Sequence, residues 1–246
     1  MKKQLLMLFV LLAIIPAMAQ TSYSFNADVV SRYIWRGVEF GANSMHVQPY
    51  GSIAHTFGGS HTLSVGFWAS YAMNNNFAEN DMYLGYSFSS EKAGTFGLTI
   101  SDYYYPYSGV DAAGNDLGSW ANAKDKGEGA HTFEVAASYQ LPASFPLKAM
   151  VSTNFYNEVP DNKSLYVELS YPFTLGEEIS GTVFSGAAQG KSVWHSVATD
   201  KFEVINTGFS LSKSIKITES YSLPVGVSYV YNSFSKRTFV AFKVTF

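Results

Sequence analysis

Along most of this chain, apolar and polar residues alternate one for one. Leu63, Val65, Phe67, Ala69 and Tyr71 interleave with Ser64, Gly66, Trp68 and Ser70, and Leu165, Val167, Leu169, Tyr171 and Phe173 with Tyr166, Glu168 and Ser170. A period of two places one set on one face of a β-strand. We count twelve such segments, at 22–36, 45–57, 62–73, 81–90, 95–107, 130–141, 145–157, 163–174, 179–189, 202–217, 222–232 and 236–246. Those at 45–57 and 179–189 alternate least clearly. No window carries an amphipathic-helix pattern, so the chain reads as all-β. Two architectures bury one face of so many antiparallel strands: a soluble sandwich and a membrane barrel.

The links between segments separate the two. Both long excursions, 108–129 and GKSVWHSVATDK, are odd-numbered links, whereas the even-numbered ones are GGS, SEKAG, LPASF, LGEE and TESYS. A barrel inserted from the periplasm has long loops on one side, short turns on the other and an even strand count. A sandwich gives no reason for that parity. Aromatic positions agree. Tyr33, Trp35, Tyr71, Tyr103, Tyr104, Tyr105, Phe155, Tyr156, Tyr229 and Tyr231 fall near one rim; Phe57, Tyr86, Phe88, Tyr139, Phe145, Tyr171, Phe173 and Phe246 fall near the other. Aliphatic residues and glycine lie between, as in the girdled wall of a transmembrane barrel. The expectation is an antiparallel up-and-down β-barrel of about twelve strands crossing a membrane.

The two ends fit this expectation. MKKQLLMLFVLLAIIPAMAQ has Lys2 and Lys3, an apolar run from Leu5 to Ile15 and small residues at Ala17–Ala19. That order is a secretory signal, and the run is shorter than the roughly 20 residues a spanning helix needs. The chain therefore divides into a signal peptide, 1–19, and a barrel, 20–246, exported to the cell outer membrane of a Gram-negative bacterium. Cys is absent, which excludes disulfides and thiolate metal sites, and a net charge of −3 argues against nucleic acid. In the closing strand Val240, Phe242, Val244 and Phe246 share one face and Lys243 takes the other. This strand must pair with the first, because an open edge in hydrocarbon leaves backbone groups unsatisfied.

ADVVSRYIWRGVEFG at 27–41, SDYYYP at 101–106 and the closing strand resemble the TorF-type porin family of bacterial outer-membrane proteins. The resemblance covers the chain beyond the signal. It implies an outer-membrane barrel with a pore of unassigned substrate, and no functional residues are carried over. Resemblance to the general class of bacterial barrels also implies that Phe246 is an assembly signal read by the barrel-assembly machinery.

A charge on the lipid face near the midplane costs about 2–4 kcal/mol, so charged positions should turn inward. Parity assigns Asp28, Arg32, Arg36, Asp81, Glu134, Lys148, Glu168 and Lys243 to the lumen, four of each sign. Either these pair and fill a narrow interior, or they line a water-filled channel. Small neighbours such as Gly66, Ser70, Gly85, Ser87, Gly97 and Thr99 leave space and favour the channel. The same parity puts Tyr33 and Trp35 on the lipid side, with Gly37 turning into the first loop. Arg36 either pairs with a carboxylate or binds solute or lipopolysaccharide. The stretch 108–129 either folds into the mouth or stays at the surface. NNNFAEND, at 74–81, reads as a polar turn in preference to a Ca²⁺ loop. Asp102 falls on lipid parity and breaks the pattern.

The function expected is passive, weakly selective diffusion of small hydrophilic solutes, with outer-membrane lipid and lipopolysaccharide as surroundings and no cofactor, no metal and no catalytic residue. The alternatives are a closed structural or adhesive barrel and, third, a barrel-embedded lipid-modifying enzyme. For the enzyme, no GxSxG or HExxH motif occurs; of the histidines, His46, His55, His61, His131 and His195, only His46 and His131 share a level near the upper rim, and no acidic or Asn partner is evident for them.

Overall fold

The computed structural model describes residues 20–106, 109, 116–159 and 164–246; the expected signal peptide lies outside them. Fourteen strands occur among the described residues. They are β1 (Gln20–Val30), β2 (Tyr33–Trp35), β3 (Val38–Phe40), β4 (His46–Phe57), β5 (His61–Ala72), β6 (Ala78–Ser90) and β7 (Gly94–Tyr104). The second half holds β8 (His131–Gln140), β9 (Lys148–Tyr156), β10 (Leu165–Leu175), β11 (Ile179–Gln189), β12 (Glu203–Lys216), β13 (Ser222–Asn232) and β14 (Arg237–Thr245). Twelve close into an antiparallel barrel, while β2 and β3 form a separate two-stranded sheet. The alternation thus produces the up-and-down barrel it predicts.

Closure rests on a short seam. β1 pairs with β4 along its whole length, but with β14 only where Asp28, Val29 and Val30 face Thr245, Val244 and Lys243. Below this, Ala27 and Phe246 exchange backbone hydrogen bonds of 3.0 and 2.9 Å, so the final residue belongs to the ladder. The outer wall is apolar. Leu63, Val65, Phe67, Leu84, Leu98, Ile100, Leu169 and Val183 stand exposed along the strands, with Tyr71, Phe155, Tyr229 and Tyr231 towards one rim and Phe57, Phe88, Tyr139 and Phe145 towards the other.

The first strand departs from expectation. It ends at Val30, where Ser31 closes the ladder: its N–H donates to Phe242 O and its Oγ accepts from Phe242 N, both at 2.9 Å. The chain then turns into the barrel, and Tyr33–Trp35 pairs with Val38–Phe40 around Arg36-Gly37. Both turn residues have positive φ, 48° and 77°, as a two-residue type I′ hairpin requires. Tyr33 and Trp35 are therefore inside the barrel instead of on its outer wall. Tyr33 is buried against the rings of Phe40, His46, Trp68 and Phe77. Tyr103 and Tyr105 turn inward as well, Tyr103 against Trp35 and Tyr105 stacked on Trp194. A further irregularity matters here. The ladder slips by one residue at Phe133/Glu134 and at Gly186/Ala187, leaving Phe155 and Ile205 as the extra residues. Such bulges re-aim side chains, and the ones here flank the place where the hairpin tip meets the wall.

Candidate functional site

The hairpin tip is held by a latch centred on Arg36. Its guanidinium donates to both oxygens of Glu134, at 2.5 and 2.9 Å, the bidentate geometry that gives strong pairs. Glu134 is in turn filled by the hydroxyls of Tyr103 and Ser152, each at 3.0 Å. The guanidinium also lies 4.4 Å from the centroid of Trp35 and 4.3 Å from that of Tyr166, within cation–π range. Burial opposes the charge on Arg36, but the attraction of Glu134 outweighs it and holds its pKa above the ordinary value. Gly37 fits the wall because it lacks a side chain: a Cβ there would stand 1.7 Å from the carbonyl oxygen of the bulged Ile205. Asn232 donates to Gly37 O, and Glu39 pairs with Arg32 and Arg237 at 3.2 and 3.3 Å.

The link between β11 and β12 completes the latch. It turns inward so that His195, 1 % exposed, stacks against Trp35 and Tyr166. Arg36 Nη1 lies 3.2 Å from His195 Nε2. A guanidinium can only donate, so Nε2 accepts and the imidazole proton sits on Nδ1. That proton is given to Ser164 Oγ at 3.2 Å, which donates to Glu158 Oε1 at 2.5 Å. Burial, reinforced by the Arg36 charge, pushes His195 down to about 3. The relay ties the hairpin, the β11–β12 link and the β9–β10 link into one unit, packed on Tyr166, Ala188, Val197 and Ile205.

The eight charged positions assigned from parity meet different fates. Arg36 and Glu134 come together, as do Asp28 and Lys243 at 3.3 Å, where Thr245 also donates to Asp28. Arg32 is carried onto Glu39. Asp81 accepts from Tyr83, and Glu168 from Tyr166 and Asn206. Lys148 is exposed at the start of β9. Among the described residues, no ion pair involves Asp81, Glu168 or Lys148. Phe246 lies exposed at the lower end of the seam.

The described part of the long 105–130 link packs on the outer upper wall. There His131 bridges Asp102, at 2.9 Å, and the Trp120 carbonyl, at 3.0 Å, and Tyr104 donates to Gly118 O. This accounts for Asp102, whose carboxylate faces outward beneath a loop that covers it. Residues 74–76 form a polar turn, and Glu79 and Asp81 project from β6 into the interior. Sequence reasoning missed Glu39, Glu79, Glu158 and His195. Two short runs of strand-forming residues, Tyr33-Ile34-Trp35 and Val38-Glu39-Phe40, on either side of Arg36-Gly37 were a hairpin signal; nothing in the loop sequence marks His195 as buried.

Below the hairpin the interior is open. One cavity of about 430 Å³ runs along the seam between Asp28, Arg32, Lys243, Ser210, Ser212 and Ser228. Another of about 400 Å³ lies among Thr174, Ser180, Thr182, Ser210 and Ser212. Hydroxyl and charged groups there offer water and polar solutes hydrogen bonds. Among the described residues, two imidazole rings contact a serine hydroxyl: His46 Nδ1 with Ser70 Oγ, at 2.8 Å, and His195 Nδ1 with Ser164 Oγ. Neither imidazole is oriented by a carboxylate among the described residues, and His195 donates to its serine, the reverse of a general base.

No known family model and no curated protein sequence matches the chain. Its fold is similar to that of a membrane-protein structure from work on in-meso crystallization, with a TM-score of 0.52 and 10% identity over 92% of this chain and 83% of that one. Weaker overlays are found with an outer membrane channel from Pseudomonas putida F1, at TM-score 0.46 and 11% identity over 92% of each chain. Salmonella typhi OmpF in complex with daunomycin gives 0.39 and 10% identity over 91% of this chain and 97% of that one. Identity this low speaks to the barrel fold alone.

Proposed function

We propose that this chain is an outer-membrane barrel, exported by its first nineteen residues, that lets small hydrophilic solutes diffuse along a narrow, weakly selective path. The observation that carries the reading is the inversion of polarity across a closed wall: apolar side chains outside, hydroxyl-lined cavities of about 430 and 400 Å³ inside. Soluble monomers rarely expose apolar surface around a whole wall, and acyl chains are the solvent that suits it. Asp28, Arg32 and Lys243, which border the seam cavity, would then line the path, and opposite signs along it would give little preference between anions and cations. The TorF-type resemblance points the same way, and Phe246 is proposed as the signal for the assembly machinery.

The inward hairpin narrows the upper half, and this favours a second reading in which the resting barrel is shut and serves a structural or adhesive role. Planar-bilayer recording of the refolded chain separates them. Small conductance steps with near-equal cation and anion permeability are expected. Reproducible silence from correctly folded protein would leave the closed barrel.

A further inference from the structure

Directly beneath the hairpin lies a third cavity, of about 330 Å³, walled by Tyr33, Trp35, Trp68, Tyr83 and Tyr103 with Asp81 among them. We infer that this aromatic box binds a small organic cation, an alkylammonium or quaternary ammonium ion, held against the ring faces and neutralised by Asp81. Aromatic faces carry the negative lobe of a quadrupole and attract cations placed over them. The formal charge opposite is uncompensated. Asp81 is 3 % exposed; among the described residues its Oδ2 accepts from the Tyr83 hydroxyl at 2.6 Å, and its Oδ1 is buried with no hydrogen-bond partner. Glu79 is buried one pleat away on the same face, and no ion pair among the described residues involves it. Arg36, the neighbouring cation, is committed to Glu134.

A buried carboxylate without a counter-charge is costly, and an entering cation recovers that cost. Other solute classes fit worse. The hydroxyl protons of Tyr83 and Tyr103 are already given to Asp81 and Glu134, which leaves neither free to donate to an anion. Metal ions need an oxygen shell, and the described residues contain no cluster of three ligating side chains. Tyr33 and Trp68 also border the seam cavity, so the two spaces adjoin.

The inference rests on the proposed diffusion path for the solute's route, yet binding itself can be read without conduction. The refolded barrel in detergent micelles is titrated with choline, tetramethylammonium and 3,3-dimethyl-1-butanol, the neutral isostere of choline, following tryptophan fluorescence and heat release. Saturable binding of both cations, with the alcohol at least tenfold weaker, is expected. Asp81→Asn, nearly isosteric, should weaken choline at least tenfold in protein whose circular dichroism is unchanged. Equal binding of choline and the alcohol, no saturable binding, or an Asp81→Asn protein that binds choline as the original does would each overturn the inference. Since the isostere comparison uses the unaltered chain, a misfolded variant does not rescue it. Choline binding without conductance would support the box and sink the channel; conductance without choline binding would do the reverse.

Discussion

Replacing Arg36 by Met keeps most of the aliphatic stem and removes the guanidinium. Glu134 then loses two charge-assisted bonds and keeps two hydroxyl donors, with its side chain still only 3% exposed. Breaking a buried pair from one side costs about 3–5 kcal/mol, because the remaining charge stays desolvated. The hairpin has little stability of its own, being two strands of three residues each. The cost should therefore fall on its docking and not on the barrel. At about 1.4 kcal/mol per factor of ten, the undocked population rises by roughly two to three and a half orders of magnitude. The assay is single-channel recording of Arg36→Met beside the original, with the heat-dependent gel shift as a check on folding. A larger, long-lived open level is expected in the variant. Adding Glu134→Leu should reverse the effect, since an apolar pair of similar volume tolerates burial. Identical conductance in all three folded proteins would refute the latch.

Gly37→Ala should open the same state, because the new Cβ would collide with Ile205 O at a backbone φ of 77°; recordings indistinguishable from the original would count against tight docking. Acid should loosen the latch as well. His195 is held at about 3 when docked and returns towards 6.5 when released, so docking is unaffected above pH 6.5. It then weakens by roughly 2 kcal/mol at pH 5 and roughly 4 kcal/mol by pH 3. Open probability should rise across that window and the rise should flatten in His195→Gln; a pH-independent trace in the original protein would contradict it. Deleting Phe246 removes both backbone bonds to Ala27 from the seam. It should lower the temperature of the gel-shift transition in refolded protein, whereas Phe246→Ala, which keeps those bonds, should impair assembly only in cells.

Twelve strands were legible because alternation survives wherever one face is apolar and the other is not. The front strand misled for a definable reason. Tyr33 and Trp35 continue the parity of Phe25, Ala27 and Val29, and aromatic rings suit an outer rim and a packed interior equally well. Ser31, the one polar residue in that series, marks where the ladder stops. Paired charges were legible only in part. Sequence parity puts Arg36 and Glu134 on the inner side, but their meeting depends on a hairpin and a bulge that place residues 98 positions apart at bonding distance. His195 and Glu158 reach the latch from links, where no periodicity reports direction.

The whole account requires that the outer wall be wetted by acyl chains. Because the chain has no Cys, single cysteines placed in turn at positions 62–71 of β5 can carry nitroxide labels without background. In liposomes, collision with oxygen should peak at 63, 65 and 67 and collision with a water-soluble nickel chelate should stay low there. Even-numbered sites should show low oxygen access. Strong nickel access at the odd sites, or no two-residue period at all, would mean that water and not lipid surrounds the barrel.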